Sequence, residues 1–399
     1  MNLALGAVLR QAVPRTRFIH LRLDFMKLKP LNQQVLVITG ASSGIGLVTA
    51  RMAAKKGAKL VLAARNADAI QQLADEINSQ GGHALAVPTD VGNEDDMARL
   101  ALVALAEFGT FDTWVNNAGV SIFGHCDEVS IPDMKRMFDT VYWGAVYGSR
   151  LAVQHFKQRQ EPGALINIGS FFGDRATPVQ STYCTAKHAL HGWTDALRME
   201  LEMEKAPVSV TLIHPGRIDT PYNEHAQSYY QHQVAHRGMV YPPEAVAEAI
   251  LFAAAHPKRD MYVGFQAKAL KMLGDFAPRF MDKLMELITD PGQIDPKRPS
   301  KNPETSGLYK AGYGLHERGS HEGWFRSGSW YVKAQKHPLL ATLAVASAGT
   351  AAWMLTKTRN GKNGQDSKDE QAINNLRVND QPAPVDEVEL TIVEVYAQP

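Results

Sequence analysis

The 399-residue sequence has few cysteines and almost no net charge. Its two cysteines, Cys126 and Cys184, lie far apart and outside any CxxC or metal-ligand spacing, which argues against a disulfide framework and favours a reducing compartment. Lysine plus arginine total 42 against 41 aspartates and glutamates, so the formal charge is +1. A nucleic-acid binder would carry a basic surplus, and this class of partner is therefore not expected. No internal repeat is visible.

Long uncharged apolar runs are also scarce, with one exception near the C-terminus. PLLATLAVASAGTAAWML (338–355) carries no charge and has lysines or arginines on both sides. Its length is just sufficient to span a bilayer, so we predict a transmembrane helix at 338–356 and a disordered polar tail at 357–399. The alternative is a buried alanine-rich helix. The expected location is the cytoplasmic face of a membrane, with this helix as the anchor and its orientation left open by the basic flanks.

The N-terminal arm, residues 1–32, is basic, with six lysines and arginines against the single acid Asp24. It has the composition of an organelle-targeting segment. The alternatives are a disordered arm, or a start-site artefact with translation beginning at Met26. The sequence leaves these alternatives open.

From residue 34 onward, short apolar runs alternate with longer amphipathic segments. The apolar runs are QVLVIT (34–39), KLVLAA (59–64), HALAVP (83–88), DTWVN (112–116), ALINI (164–168) and VSVTLI (208–213). The helical patterns lie at 45–56, 67–79, 93–108, 131–158 and 182–205. Continuous apolar strands are typical of a parallel sheet that is covered on both faces. We therefore predict an α/β Rossmann domain over 33–265, with a doubly wound parallel sheet and helices on both faces. A C-terminal extension or linker follows at 266–337, with one amphipathic helix at 267–289.

A glycine-rich turn, TGASSGIG (39–46), follows the first strand and opens the first helix. Gly40 allows a tight turn, Gly44 lets the backbone approach a diphosphate, and Gly46 permits close packing of helix and strand. The amides at the helix N-terminus would point at that diphosphate. The turn predicts a dinucleotide site.

The tip of the second strand predicts which dinucleotide is bound. The segment AARN offers Arg65 and no acid for the ribose hydroxyls. Because arginine pairs bidentately with a 2′-phosphate, we predict NADP(H) in preference to NAD(H). The alternative is a solvent-exposed arginine without a ligand.

Other strand ends carry further candidate contacts. Asp90, in TDV (89–91), is placed to accept from the adenine amino group. The segment NNAG (116–119) would line the adenine ribose and the crevice of the sheet. Pro215 and Gly216, in HPGRIDTP (214–221), form a turn that would offer backbone groups to a nicotinamide.

A tyrosine and a lysine stand one helical turn apart in STYCTAKHAL (181–190). Tyr183 and Lys187 share a helix face because residues i and i+4 are neighbours. A nearby ammonium favours the phenolate, so we expect Lys187 to lower the pKa of Tyr183. Tyr183 would then act as general acid in carbonyl reduction or as base in alcohol oxidation. Ser170, just past the fifth strand, would polarise the substrate oxygen.

These motifs together resemble a classical short-chain dehydrogenase/reductase over residues 33 to about 265, and YCTAKHAL and HPKRDMYVG resemble an uncharacterised subgroup with C-terminal extensions. The resemblance implies a Ser170, Tyr183 and Lys187 catalytic set, with Lys187 also on the nicotinamide ribose. It further implies a homodimer or homotetramer built on the 131–158 and 182–205 helices. The predicted cofactor-binding residues are Gly40, Ser42, Ser43, Gly44, Ile45, Gly46, Arg65, Asp90, Val91, Asn117, Ala118, Gly119, Tyr183, Lys187, Pro215, Gly216, Ile218 and Thr220.

One position departs from the family pattern. The family has an asparagine three residues before a glycine in the helix after the fourth strand, and it supports a bend and a water linked to the lysine. Counted back from Gly144, that position is Val141. A valine lacks the side-chain amide, and Thr140 would compensate if the helix were locally shifted.

Aromatic residues near these motifs are candidates for a hydrophobic substrate pocket, some of which belong to the core instead: Phe123, Trp143, Phe171, Phe172 and Tyr222. The predicted substrate contacts are Ser170, Phe172 and Tyr183. His232 and His236 have a metal-ligand spacing but lack the glutamate of HExxH, so they are expected to be polar residues of a mobile substrate loop. No metal site is predicted.

The sequence thus predicts an NADP(H)-dependent oxidoreductase that interconverts an alcohol and a ketone or aldehyde, with a lipophilic small-molecule substrate. One alternative is a cofactor-binding sensor or scaffold with reduced or no activity. The other is an epimerase or dehydratase on the same fold.

Overall fold

The computed structural model of this chain describes residues 26–234, 239–289, 294–299, 306–320 and 326–337, together with Ser347 and Thr350. The strands are β1 Val35–Thr39, β2 Lys59–Ala64, β3 His83–Pro88, β4 Thr113–Asn116, β5 Ile122–Phe123, β6 Gly163–Ile168, β7 Val208–Pro215, β8 Gln227–Ser228, β9 His232–Val234, β10 Asp260–Val263 and β11 Ile294–Pro299. The α-helices are α1 Gly44–Lys55, α2 Ala67–Ser79, α3 Glu94–Phe108, α4 Ile131–Phe138, α5 Gly144–Arg159, α6 Ser181–Met203, α7 Tyr222–His225, α8 Pro243–Ala255, α9 Phe265–Phe276, α10 Pro278–Thr289 and α11 Trp330–Lys336.

Seven of these strands form one parallel sheet in the order β10-β7-β6-β4-β1-β2-β3. Alternate side chains of β1 enter two different cores, since successive residues of a strand point to opposite faces. Leu36 and Ile38 pack with α1, α2 and α8, whereas Val35 and Val37 pack with α3 and α5. The predicted doubly wound Rossmann sheet, with helices on both faces, is confirmed.

The strand order reverses between β1 and β4, and this reversal positions the candidate site. Chains that leave β1 and β4 at their carboxyl ends turn to opposite sides of the sheet, which opens a crevice between them. The six predicted strands all lie in the sheet. β10 at the edge was not predicted, because its four residues follow a charged loop and give little periodic signal.

Two of the expected helices are interrupted. The segment 131–158 begins as α4, passes through a π-helical turn at Asp139–Trp143 and continues as α5. The single helix expected at 267–289 is wrong, because α9 ends at Phe276 and α10 begins at Pro278. A proline has no backbone N–H and its ring clashes with the preceding turn, so it starts a new helix here.

The chain divides into two compact units, residues 1–336 and 337–399. In the part of the chain that the structure describes, no helix combines the length and the hydropathy that crossing a membrane requires. The predicted membrane helix, 338–356, lies outside the described residues except for Ser347 and Thr350. The predicted tail, 357–399, and residues 1–25 of the N-terminal arm lie wholly outside them. The predicted boundaries at 32, 265 and 337 remain predictions.

Candidate active site

A cleft at the carboxyl ends of β1 and β4 gathers residues from nine separate segments of the chain. The predicted residues that line it are Gly40, Ser42, Ser43, Gly44, Ile45, Arg65, Asp90, Val91, Asn117, Ala118, Gly119, Ser170, Phe172, Tyr183, Lys187, Pro215, Gly216, Ile218 and Thr220. Gly46, also predicted, packs against Gly40 and Asn117 without lining the cleft. The sequence did not single out Asn66, Thr89, Gly169, Arg217 or His225, which also line the cleft, and it gave no signal for Gly307, Ala311 and Gly312.

The glycine-rich turn has the geometry that its spacing predicts. Gly40 and Gly44 have φ values of 66° and 52°. This is the left-handed region of backbone conformation, which residues other than glycine rarely adopt. A Cβ on Gly46 would lie 2.1 Å from the Gly40 carbonyl oxygen, so only glycine lets α1 start this close to β1. The resulting concave backbone at the N-terminus of α1 suits a diphosphate.

Asn117 ties this turn to the end of β4. Its side-chain amide donates to the Thr39 and Gly40 carbonyls at 2.9 and 3.2 Å, and its backbone N–H donates to the Thr39 hydroxyl at 3.0 Å. These hydrogen bonds fix the distance between the carboxyl ends of β1 and β4, on the two sides of the crevice. In this structure, Asn117 contributes to the cleft by shaping it.

A segment of the C-terminal extension, residues 306–320, lies against the cleft and is called the strap below. Its backbone pairs with the glycine-rich turn, because Leu315 N–H donates to the Ser42 carbonyl at 2.8 Å and Gly44 N–H donates to the His316 carbonyl at 2.9 Å. Arg65 donates to the Gly307 and Leu308 carbonyls, the latter at 3.1 Å. Arg65 is half-buried against the strap, so the alternative of a solvent-exposed arginine is wrong, and its binding to a 2′-phosphate stays a prediction.

Ser170, Tyr183 and Lys187 come together on the floor of the cleft and are all nearly buried, at 7%, 8% and 4% exposure. The Ser170 hydroxyl lies close enough to the Tyr183 hydroxyl to lower the pKa of Tyr183. Lys187 lies with its Nζ 5.7 Å from the Tyr183 ring centroid and donates to the Ile168 carbonyl at 2.7 Å. The three residues predicted as a catalytic set are thus adjacent in space.

The pKa values differ from the sequence expectation. Burial raises the pKa of Tyr183 to about 12, although hydrogen bonds from Ser170 and Tyr222 partly offset it. Burial also lowers the pKa of Lys187 to about 7. The expected lowering of the Tyr183 pKa by Lys187 is absent here, because the desolvation of both groups outweighs an ammonium that is directed at the Ile168 carbonyl.

Behind Ser170 lies a buried cluster that the sequence analysis missed. Ser170 N–H donates to Nε2 of His191, and Nδ1 atoms of His191 and His214 lie 3.4 and 2.8 Å from the two carboxylate oxygens of Asp174. These imidazoles hold the pKa of Asp174 well below its usual range despite its burial. His191 follows Lys187 by four residues and therefore shares the helix face of Tyr183 and Lys187. This spacing could have identified His191 from the sequence as a neighbour of the site.

The three cluster residues offer ligand atoms within 4.8 Å of one another, a spacing that a metal ion could also use. However, Nε2 of His191 accepts a hydrogen bond from Ser170, which places the imidazole proton on Nδ1, facing Asp174. A metal ion on Nδ1 would displace that proton. Hydrogen bonding that fixes the Ser170 turn therefore accounts for the cluster.

The π-helical turn resolves the departure at Val141. A π-helical turn inserts one extra residue into the helix and rotates the residues that precede it. As a result Thr140 lines the cleft, while Val141 is 1% exposed and packs in the apolar cluster that contains Tyr183. The helix is thus locally shifted, which is the condition under which Thr140 was expected to compensate for Val141.

The aromatic candidates divide between cleft, core and surface. Phe171, Phe172 and Tyr222 line the cleft, and the Tyr222 hydroxyl is hydrogen-bonded to Tyr183. Phe123 is buried beside Tyr222 outside the cleft. Trp143 is 44% exposed and was wrongly included among the candidates. His236 lies outside the described residues, and His232 belongs to β9, which pairs with β11.

Comparisons with known proteins agree with this geometry. A family model described as short chain dehydrogenase matches residues 34–231. YxnA of Bacillus subtilis (strain 168), an uncharacterised oxidoreductase, is 62% identical over 333 residues, which cover 83% of this chain and 93% of that protein. An uncharacterised oxidoreductase of Staphylococcus aureus (strain USA300) is 33% identical over 232 residues, or 57% of this chain and 94% of that one.

Among solved structures, a short-chain dehydrogenase/reductase from Burkholderia phymatum in complex with NAD superposes with a TM-score of 0.54 at 25% identity. The match covers 67% of this chain and 98% of that chain. The similarity to YxnA is longer than the family match, so it includes sequence beyond the dehydrogenase domain. Fold, cleft and sequence similarity agree, and the chain belongs to the short-chain dehydrogenase/reductase family of oxidoreductases.

Proposed function

We propose that this protein is an NADP(H)-dependent oxidoreductase that interconverts a secondary alcohol and a ketone, or a primary alcohol and an aldehyde. The observation that carries the proposal is the convergence of the Ser170 and Tyr183 hydroxyls beside the buried Lys187, on the floor of a cleft that begins at the glycine-rich turn. The two hydroxyls converge on a place where a carbonyl oxygen would sit.

The residues of the cleft fit a nicotinamide dinucleotide. The glycine-rich turn forms a cradle that a side chain at Gly46 would fill, and Arg65 supplies a guanidinium at the end of β2. When bound, the cofactor supplies the hydride for reduction and accepts it in oxidation. Ile218 and Thr220 would contact its nicotinamide, and Asp90 its adenine.

In reduction, Ser170 would hold the substrate oxygen and Tyr183 would donate the proton to it. A phenol whose pKa burial raises to about 12 is fully protonated at neutral pH, as a general acid requires. Oxidation needs Tyr183 as the phenolate. For oxidation, the charged ammonium of Lys187 would therefore have to lie close to the Tyr183 hydroxyl and stabilise its negative charge. In this structure the ammonium binds the Ile168 carbonyl, and its second role would be to bind the ribose hydroxyls.

The substrate side of the cleft favours a lipophilic molecule. Phe171 and Phe172 lie with ring centroids 4.0 Å apart next to the catalytic pair, and Tyr222 faces them across Tyr183. Aromatic walls beside a few fixed hydroxyls are typical of pockets that bind apolar ligands. Activity confined to small, charged carbonyl compounds would contradict this part of the proposal.

The test is NADPH oxidation by the purified protein over carbonyl compounds from short sugars to steroid-sized ketones. We expect Tyr183→Phe to lower kcat by about 10²–10⁴-fold, the usual contribution of a general acid, with NADPH affinity unchanged. NADH in place of NADPH tests the cofactor preference. Equal turnover by Tyr183→Phe would contradict the assigned role, and tight NADPH binding without turnover of any substrate would favour a sensor.

A further inference from the structure

Two arginines converge on a single carbonyl of the strap. Arg65 Nη1 lies 3.1 Å from the Leu308 carbonyl oxygen, and Arg136 Nε lies 3.2 Å from the same atom. The other terminal nitrogen of Arg65 donates to the Gly307 carbonyl. Paired guanidiniums of this kind are the donor arrangement by which proteins bind phosphate groups, whereas a neutral carbonyl is a weaker partner for them.

The charge around these carbonyls also fits an anion. Arg136 pairs with Asp90 at 2.5 Å, so Arg65, Arg136 and Asp90 together carry one net positive charge. Arg65 is partly buried, and its guanidinium stands at the end of β2, where the ribose of a bound dinucleotide would lie. Arg136, on α4, was not singled out by the sequence.

We propose that Arg65 and Arg136 form the site for the 2′-phosphate of NADP(H), and that the strap occupies this site through the Gly307 and Leu308 carbonyls. The Gly307 and Leu308 carbonyls and the 2′-phosphate therefore compete, and NADP(H) displaces this end of the strap from the two arginines while NAD(H), which has no 2′-phosphate, does not. This inference rests on the proposed function and adds a second arginine and a competing segment to it.

The strap is also held by backbone hydrogen bonds to Ser42 and Gly44, so a phosphate would displace only its 307–308 end. Two side-chain contacts of the strap are weak enough for a phosphate to outweigh. Tyr309 donates to Asp133 at 2.6 Å on the surface, and Glu317 pairs with Arg51 at 2.7 Å, both partly or largely exposed. Exposed pairs of this type each contribute about 0–1 kcal/mol to the free energy of unfolding. A ligand shifts a two-state equilibrium by its difference in affinity for the two states, and at Arg65 and Arg136 the 2′-phosphate provides that difference.

Two nucleotide fragments separate the effect of the 2′-phosphate from that of the nucleoside. We would treat the full-length protein with trypsin in the presence of 2′,5′-ADP or 5′-AMP and follow cleavage after Lys310, which is exposed on the strap. We expect 2′,5′-ADP to accelerate this cleavage and 5′-AMP to leave it unchanged, with Lys310→Gln identifying the fragment. Protection of Lys310 by 2′,5′-ADP would overturn the inference.

Variants then test the competition by calorimetry. A Cβ on Gly314 would lie 2.2 Å from the Ala69 Cβ, so Gly314→Ala pushes the strap off α2. We expect its affinity for 2′,5′-ADP to rise by about two- to tenfold, as the loss of one competing hydrogen bond would give, with 5′-AMP affinity unchanged. Gly192→Ala, where a Cβ meets no atom within 4 Å, is the matched control.

A milder pair of variants covers the case in which Gly314→Ala does not fold. Arg51 binds Glu317 of the strap and Glu76 of α2, so Glu317→Gln loosens the strap and Glu76→Gln is its control. Only Glu317→Gln should increase the affinity for 2′,5′-ADP. Arg136→Gln should reduce that affinity by about tenfold or more and leave 5′-AMP binding unchanged, as expected for one lost charged contact.

The outcomes separate the inference from the proposed function. Equal weakening of both nucleotides by Gly314→Ala and Glu317→Gln would show that the strap is a wall of the site, and would overturn the competition alone. Unchanged 2′,5′-ADP affinity in Arg136→Gln would likewise overturn the assignment of that arginine. Failure of both nucleotides to bind the parent protein would overturn the inference together with the proposed function.

Discussion

At the scale of single residues, two ionisable side chains of the site are buried in an environment that disfavours their charged forms. Tyr183 and Lys187 are both nearly buried, and burial moves their pKa values in opposite directions, to about 12 and about 7. Both shifts favour the neutral forms. A buried lysine with one carbonyl partner is a cost in stability that packing elsewhere must offset.

This cost predicts that Lys187→Met stabilises the protein while it impairs function. The folded-state pKa of about 7 lies below the ordinary value of 10.5, so the unfolded chain binds more protons between these values. The penalty is full below pH 7 and fades as the pH rises towards 10.5. We expect Lys187→Met to raise Tm at pH 7 by about 2–4 °C, roughly 1 kcal/mol after the Ile168 carbonyl loses its donor, and by less at pH 9.

Differential scanning calorimetry at both pH values measures this effect, and Lys157→Met is the control because that side chain is 44% exposed. We expect no comparable gain in the control. A lower Tm for Lys187→Met at both pH values would contradict the assignment of a burial penalty to this lysine.

At the scale of secondary-structure elements, the π-helical turn Asp139–Trp143 decides which side chain faces the cleft. Thr140 is at the wall and donates to the Arg136 carbonyl at 3.3 Å, while Val141 fills the apolar cluster around Tyr183. The turn also lies directly after α4, which carries Arg136. One irregular turn thereby sets the orientation of neighbouring functional positions.

We therefore expect that restoring the family's asparagine at position 141 does not help. Val141→Asn buries an amide in an apolar cluster, and it should destabilise the protein by about 1–3 kcal/mol without raising kcat. Thr140→Val keeps the side-chain shape, so its stability should change little while kcat for reduction falls. Urea unfolding and steady-state rates measure the two effects, and a stable, faster Val141→Asn enzyme would show that the π-helical turn is not the arrangement in solution.

Much of this element-level organisation was predictable from local patterns. Continuous apolar runs predicted the central strands, and the glycine spacing predicted the turn and the start of α1. Local patterns gave no signal for the strap, because its contacts join residues some 240 positions apart, such as Arg65 and Leu308. The pKa of Tyr183 was misjudged for a related reason, since spacing places Lys187 nearby but burial depends on the tertiary fold.

At the scale of the whole molecule, α6 carries apolar side chains on the surface as well as Tyr183 and Lys187 inside. Met199 and Met203 are 56% and 84% exposed, and Trp143, the last residue of the π-helical turn before α5, is 44% exposed. The family resemblance implied that these two helices form the subunit interface. Exposed large apolar side chains commonly mark such surfaces.

We propose that the protein is a homodimer or homotetramer that buries this surface. Met199→Glu combined with Met203→Glu places charges in the interface without entering the core, so we expect the assembly to dissociate towards monomers in light scattering coupled to size exclusion. Leu102→Glu is the matched control, since Leu102 is 68% exposed on α3 and outside the expected interface. Because α6 also positions Tyr183 and Lys187, dissociation should reduce the thermal stability of the site along with the assembly. A parent protein that is monomeric at micromolar concentration would contradict the proposal, and the exposed methionines would then need another partner.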